Sequence, residues 1–196
     1  MQAAINLSFK GVVMTYLQHM LRILKLDGTV YRTIAATQLP MRYCMINVSV
    51  LGLLYGLASI QFAKLLLARQ PEAAVAFNPL MILMVGVSIA FFMHGGLSLF
   101  VWVFCRGIGG NPQFMPTYLF IGMAAIALWP LAPSVSALQA GVSGGLVRIL
   151  AALAVLYGAA VIFVAVKAAS RLSLLKMTLA AVATVVYVGC FLYLWL

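Results

Sequence analysis

Two rhythms of apolar residues run along this chain. From Ile5 to Leu26 they keep a helical period. Ile5, Phe9, Val12, Val13, Tyr16, Met20, Ile23 and Leu24 fall on one face, and Ser8, Thr15, Gln18, His19, Arg22 and Lys25 on the other. That split predicts an amphipathic helix, spanning residues 1–28, that lies in a membrane interface with its basic residues reaching the headgroups. The same helix could pack on the cytoplasmic ends of a bundle. Asp27 and Gly28 end it with a turn signal, and Val30 to Pro40 reads as a short polar connection.

After Arg42 the rhythm changes to long, almost unbroken apolar runs. Five of them approach the length that crosses a hydrocarbon core of about 30 Å. The predicted spans are residues 43–63, 80–104, 117–137, 146–166 and 174–195. Turn signals separate the first two, at Pro71 and at Asn78-Pro79. Pro116 opens the third span, where a missing N–H costs nothing. Trp129, Pro130 and Pro133 mark its far end, with Trp129 at interface depth, and a small-residue loop, Ser134 to Gly145, follows. Tyr193 and Trp195 read as a terminal aromatic anchor. The fold expected is an all-α integral membrane protein: one membrane domain, 1–196, of five transmembrane helices plus the N-terminal amphipathic helix.

Composition agrees. Of 196 residues, 66% are hydrophobic and 7% charged, whereas a soluble domain averages about 25% charged. No cleavable signal peptide is evident, so the first span is expected to act as an uncleaved signal anchor. The net charge of +10 comes from twelve Lys and Arg against two acids, Asp27 and Glu72. The cations sit between apolar segments, which points to orientation and anionic lipid and away from nucleic acid. With the N-terminus inside, the inner side holds nine cations: Lys10, Arg22, Lys25, Arg32, Arg42, Arg106, Lys167, Arg171 and Lys176. The outer side holds three, Lys64, Arg69 and Arg148. The expected topology is N-inside and C-outside, in a bacterial inner membrane.

Candidate chemistry is sparse. Two acids leave no paired carboxylates and no hard-cation site. Cys44, Cys105 and Cys190 make no CxxC or zinc pattern. Cys44 and Cys105 fall at predicted inner helix ends, where lipidation is conceivable, although small buried residues are the plainer reading. His94 lies near the middle of the second span, where a polar side chain must face protein or water. It is either a proton relay or cofactor ligand, or an imidazole hydrogen-bonded to a neighbouring helix. Gly141 to Gly144 matches the GxSG of intramembrane serine proteases, but no histidine follows Ser143 to activate it. Arg106, Gly107, Gly109 and Gly110 form a turn between spans; the spacing is not that of a nucleotide loop. Gly52 and Gly56 form a GxxxG pair that lets another helix approach closely. No catalytic residue, metal or cofactor is expected.

The order of these features resembles the Yip1 family of five-span membrane proteins, in its bacterial form. An amphipathic segment leads into Leu26-Asp27-Gly28-Thr29-Val30-Tyr31-Arg32, and Pro40 precedes the first span. The second span ends in a basic, double-glycine turn at Arg106, Gly109 and Gly110, followed by Phe114 and Tyr118. Pro130 stands near the end of the third span, and a basic linker from Ser170 to Lys176 precedes the last. Asp27 departs from the pattern, since a proline usually follows the leucine there. The resemblance implies a five-helix fold with a cytoplasmic N-terminus and no established chemistry. The expected role is that of an accessory or scaffold subunit whose partners are lipids, other integral membrane proteins or further copies of itself. The alternative is a transporter or channel for a small solute or proton, using His94.

Overall fold

The computed structural model describes residues 14–69, 78–142 and 144–195, and the side chains within them apart from 66, 68, 69 and 191–195. Every regular element among the described residues is helical. In chain order they are α1 (residues 14–24), α2 (Thr29–Ala35), α3 (Leu39–Arg69), α4 (Pro79–Gly107) and α5 (Phe114–Ala124). A 3₁₀ turn at Ala125–Leu128, α6 (Leu131–Gln139), α7 (Gly145–Ser170) and α8 (Leu174–Trp195) complete the order.

Among the described residues, three stretches are long and apolar enough to cross a membrane: Leu39–Leu65, Pro79–Gly107 and Gly145–Ser170. Phe114–Leu128 and Leu131–Gln139 qualify only as a pair, bent by 71° at their junction. Among the described residues there are therefore three such helices, or four if the bent pair is one span. Leu174–Cys190 is apolar but shorter.

The third run is the first correction to the sequence reading. A continuous helix over 117–137 gives way to α5, the 3₁₀ turn and α6, and the loop expected to begin at Ser134 is helical as far as Gln139. Proline supplies the cause. Pro130 has no N–H to offer the Ile126 carbonyl, which accepts from Trp129 instead, at 3.3 Å. The helix thus tightens to 3₁₀ and turns.

The second correction lies at Val30–Pro40. This is no polar connection: Thr29–Ala35 is helical and buries Val30, Tyr31 and Ile34. Their spacing of one and four residues puts all three on one face, but the segment is too short for that periodicity to stand out among Arg32, Thr33 and Thr37. α1, the described part of the segment expected to form the N-terminal helix, buries Met20 and Ile23 against these residues, Phe120 and Met123 of α5, and Val161 and Ala165 of α7. Residues 1–13, with Lys10, lie outside the described residues, as do 70–77, with Glu72, the side chains of Tyr193 and Trp195, and Ser143.

Helices α3 and α4 make the closest approach. A Cβ on Gly52 would lie 2.6 Å from Val87 Cα, and one on Gly56 3.1 Å from Leu83 Cα. Gly86 answers from α4, where a Cβ would lie 2.9 Å from the Gly52 carbonyl oxygen. The GxxxG pair is thus occupied within the chain. α8 is held differently, by Met177 and Ala180 against Val101 and Cys105 and by Tyr187 stacked on Phe100 at 4.1 Å.

Candidate functional site

The polar interior lies where α3, α4 and α5 meet, with α1 against α3. Cys44 and Asn47 are one turn apart on α3 and both fully buried. Cys44 faces α4, and its Sγ is 3.6 Å from His94 Nε2. The other ring nitrogen, Nδ1, lies 3.5 Å from Ser98 Oγ, one turn along α4. The Tyr118 ring sits 4.4 Å from the imidazole. Gly122 closes the pocket: a side chain there would collide with Cys44 Sγ and come within 3.1 Å of His94 Cε1. Each edge of His94 therefore meets protein, through contacts long enough to be weak.

Asn47 is fastened more firmly. Its Nδ2 donates to the Met123 carbonyl at 2.8 Å and lies 3.3 Å from Met20 Sδ. Its Oδ1 accepts from Tyr16 OH, and its own carbonyl accepts from Trp129 Nε1 at 3.1 Å. The amide thus ties α1 to α3, and α3 to the end of α5 where the 3₁₀ turn begins. Sequence reasoning placed Trp129 as an interface marker and passed over Asn47. An uncharged amide inside an apolar run was a signal that could have found it, since lipid offers such a group no partner.

Neither thiol at the predicted inner helix ends is open to lipidation. Cys44 and Cys105 are buried and packed, and only Cys190 is exposed among the free cysteines. Among the described residues, no three His, Cys, Asp or Glu side chains converge as a metal site would need.

The turn with Arg106, Gly107, Gly109 and Gly110 does more than reverse the chain. Gly109 has a φ of +91°, which favours glycine. A Cβ on Gly110 would lie 2.8 Å from the Cys105 carbonyl oxygen that its N–H bonds. Asn111 then caps α7: its backbone N–H donates to Ser170 O at 2.9 Å and its Nδ2 to Ala169 O at 3.1 Å. Arg106 stacks over Trp102, 5.3 Å from the ring centre. The α4–α5 and α7–α8 turns are thereby locked side by side.

Three titratable groups with shifted pKa values lie at α1, α2 and the turn between them: His19, Asp27 and Tyr31. Hydrogen bonds from Thr29 and from Arg22 hold the Asp27 carboxyl down at about 2, and Arg22 approaches it to 2.7 Å. Partial burial, with Arg22 nearby, lowers His19, whose Nδ1 is 3.2 Å from Tyr43 OH. Burial raises the Tyr31 phenol, whose hydroxyl has no hydrogen-bond partner. The one thiol set beside an imidazole among the described contacts, Cys44 against His94 at 3.6 Å, is a long contact between two buried side chains. The arrangement can fasten helices, and it places one imidazole where a proton could reside. No protein-family model, no curated protein and no solved structure matches the chain.

Proposed function

We propose that this is a non-enzymatic, multi-span membrane protein of the Yip1 type, acting as an accessory or scaffold subunit that packs with other membrane proteins or organises the bilayer. The observation that carries the proposal is how His94 is used. Its ring is enclosed by Cys44, Ser98, Tyr118 and Gly122, as suits a packing element. Long apolar faces meanwhile remain uncovered, as at Leu153 and Leu156 of α7 and Leu175 and Val185 of α8. Such faces suit lipid or another membrane helix. On this reading α3, α4, the bent α5–α6 pair, α7 and α8 make five crossings. The N-terminus lies in the cytoplasm, α1 rests at the inner interface, and the C-terminus is outside a bacterial inner membrane.

Purification from the native membrane in mild detergent tests the role. Stoichiometric membrane-protein partners are the expected result. A lone protein whose liposomes pass a solute, with the flux abolished by His94→Ala, would sink it. For topology, a cysteine introduced as Gly144→Cys is the reporter of choice, because Gly144 is exposed in the loop between α6 and α7, outside the helices. It should react with an impermeant thiol reagent from outside; labelling only from the cytoplasmic side would reverse the orientation.

A second reading has its own observation. The third run is discontinuous, and broken helices beside buried polar groups are where transporters hold their cargo. On that reading the protein is a channel or transporter for a small solute or proton, and the same flux measurement decides for it.

A further inference from the structure

We infer that the locked pair of turns holds an anionic phospholipid, its phosphate on Arg171 and Lys176 and an acyl chain along α8. The inference rests on the membrane reading above but not on the scaffold role.

Charge is the first observation. The Asn111 bonds to Ser170 and Ala169 bring the α4–α5 and α7–α8 turns together, and with them Arg106, Lys167, Arg171 and Lys176, all exposed. Asp27, the one acid among the described residues, is bound to Arg22 on α1, so no described carboxylate lies with this group. Cations gathered in this way at the end of a bundle attract anionic headgroups.

Geometry is the second. Lys176 Nζ is fixed by donating to the Ile108 carbonyl at 2.7 Å. An ammonium has three donors, so two remain for phosphate oxygens. Gly109 packs beside that nitrogen, where a Cβ would lie at only 3.3 Å and crowd it. Arg171 stands at the C-terminus of α7 in a left-handed conformation.

The third observation selects a lipid over a free anion. Lys176 is at the head of a shallow groove on α8 whose other walls are Leu175, Thr178, Leu179 and Val182. Leu175 is 83% exposed. A cation above an apolar furrow, on a helix that lies against the bilayer, fits a headgroup and the chain attached to it.

The full-length protein in detergent, titrated with phosphatidylglycerol, phosphatidylcholine or inorganic phosphate, tests this by native mass spectrometry and by the melting midpoint. Phosphatidylglycerol is expected to be retained at one per chain and to raise the midpoint, with neither of the others doing so. Each cation near a membrane surface contributes enough to change affinity about fivefold. Arg171→Gln with Lys176→Gln should therefore weaken phosphatidylglycerol roughly 25-fold, while Arg171→Lys with Lys176→Arg retains it and Arg148→Gln leaves it unchanged. Leu179→Trp, which fills the furrow without altering charge, should weaken it as well and stands in if the double variant does not fold. Equal retention of the two lipids, an equal effect of inorganic phosphate, or unchanged affinity in Leu179→Trp would overturn the inference. Absence of protein partners would count against the scaffold role alone.

Discussion

Asn47 and His94 are both buried polar side chains in apolar helices, yet they are held in opposite ways. His94 touches Cys44 and Ser98 at 3.6 and 3.5 Å and is otherwise packed by the Tyr118 ring and a glycine. Asn47 bonds a carbonyl at 2.8 Å and a phenol, and those bonds join three helices, while its backbone carbonyl takes the Trp129 indole N–H beside the break. The difference teaches that, among packed apolar helices, the ionisable residue is not always the one the fold depends on. A broken helix frees backbone groups that must be satisfied inside the protein, and a short amide donates and accepts in one place. The imidazole fills a space that Gly122 shapes, and less depends on its polarity.

The sharpest way to break this comparison is Asn47→Leu. The change keeps the bulk but strands the Met123 carbonyl and the Tyr16 hydroxyl. It should cost about 2–3 kcal/mol of unfolding free energy in detergent. A loss below about 0.5 kcal/mol would mean that the break is fastened by something else. Next comes Gly122→Ala. Alanine is the better helix former, but its methyl meets Cys44, and the net cost should be about 1–2 kcal/mol. In a Cys44→Ala background the cost should fall below about 0.5 kcal/mol, and a double-mutant cycle reads the coupling. Equal costs in both backgrounds would place the strain elsewhere.

His94→Phe should be milder, under about 1 kcal/mol, because the ring against Tyr118 is kept and only long, weak contacts are lost. A cost matching that of Asn47→Leu would erase the distinction drawn here. The smallest effect is one of pH. His19 is lowered in the folded protein by burial and by Arg22, so between its folded and unfolded values the unfolded chain binds more protons. Its contribution is full above about pH 6.5 and is lost as pH falls. The unfolding midpoint should therefore drop slightly from pH 7.5 to 5.5 and stop doing so in His19→Asn. Asp27, held at about 2, stays ionised throughout that window. A drop of the same size in His19→Asn would assign the effect to another group.

Much of the secondary structure was legible in the sequence. The second, fourth and fifth runs match α4, α7 and α8 to within a few residues, because continuous apolar character and flanking Pro, Gly and Arg act locally. The first helix begins earlier than expected, at Leu39, since Pro40 is tolerated in a first turn. The third run misled. Apolar content remained high through Trp129–Pro133, so hydropathy could not separate one helix from two at 71°. α2 was missed because three buried residues in seven give too short a period. The polar site was half legible: His94 stands out as an ionisable residue inside a run. Asn47, Tyr16 and Met123 are separated by 31 and 76 residues along the chain, and no local pattern links them.

The sequence by itself determined a helical, membrane-compatible chain and its candidate turns, because these follow from transfer free energies and backbone preferences of neighbouring residues. The tertiary structure decided what those parts do to each other. It turned Gly52 and Gly56 inward to Gly86, so the GxxxG pair is spent inside the chain. It buried Cys44 and Cys105. It made the Arg106–Asn111 turn a cap for α7, and Asn47 the fastening of a broken helix. Each of these depends on which groups lack a partner once the helices pack, and that depends on contacts between distant segments.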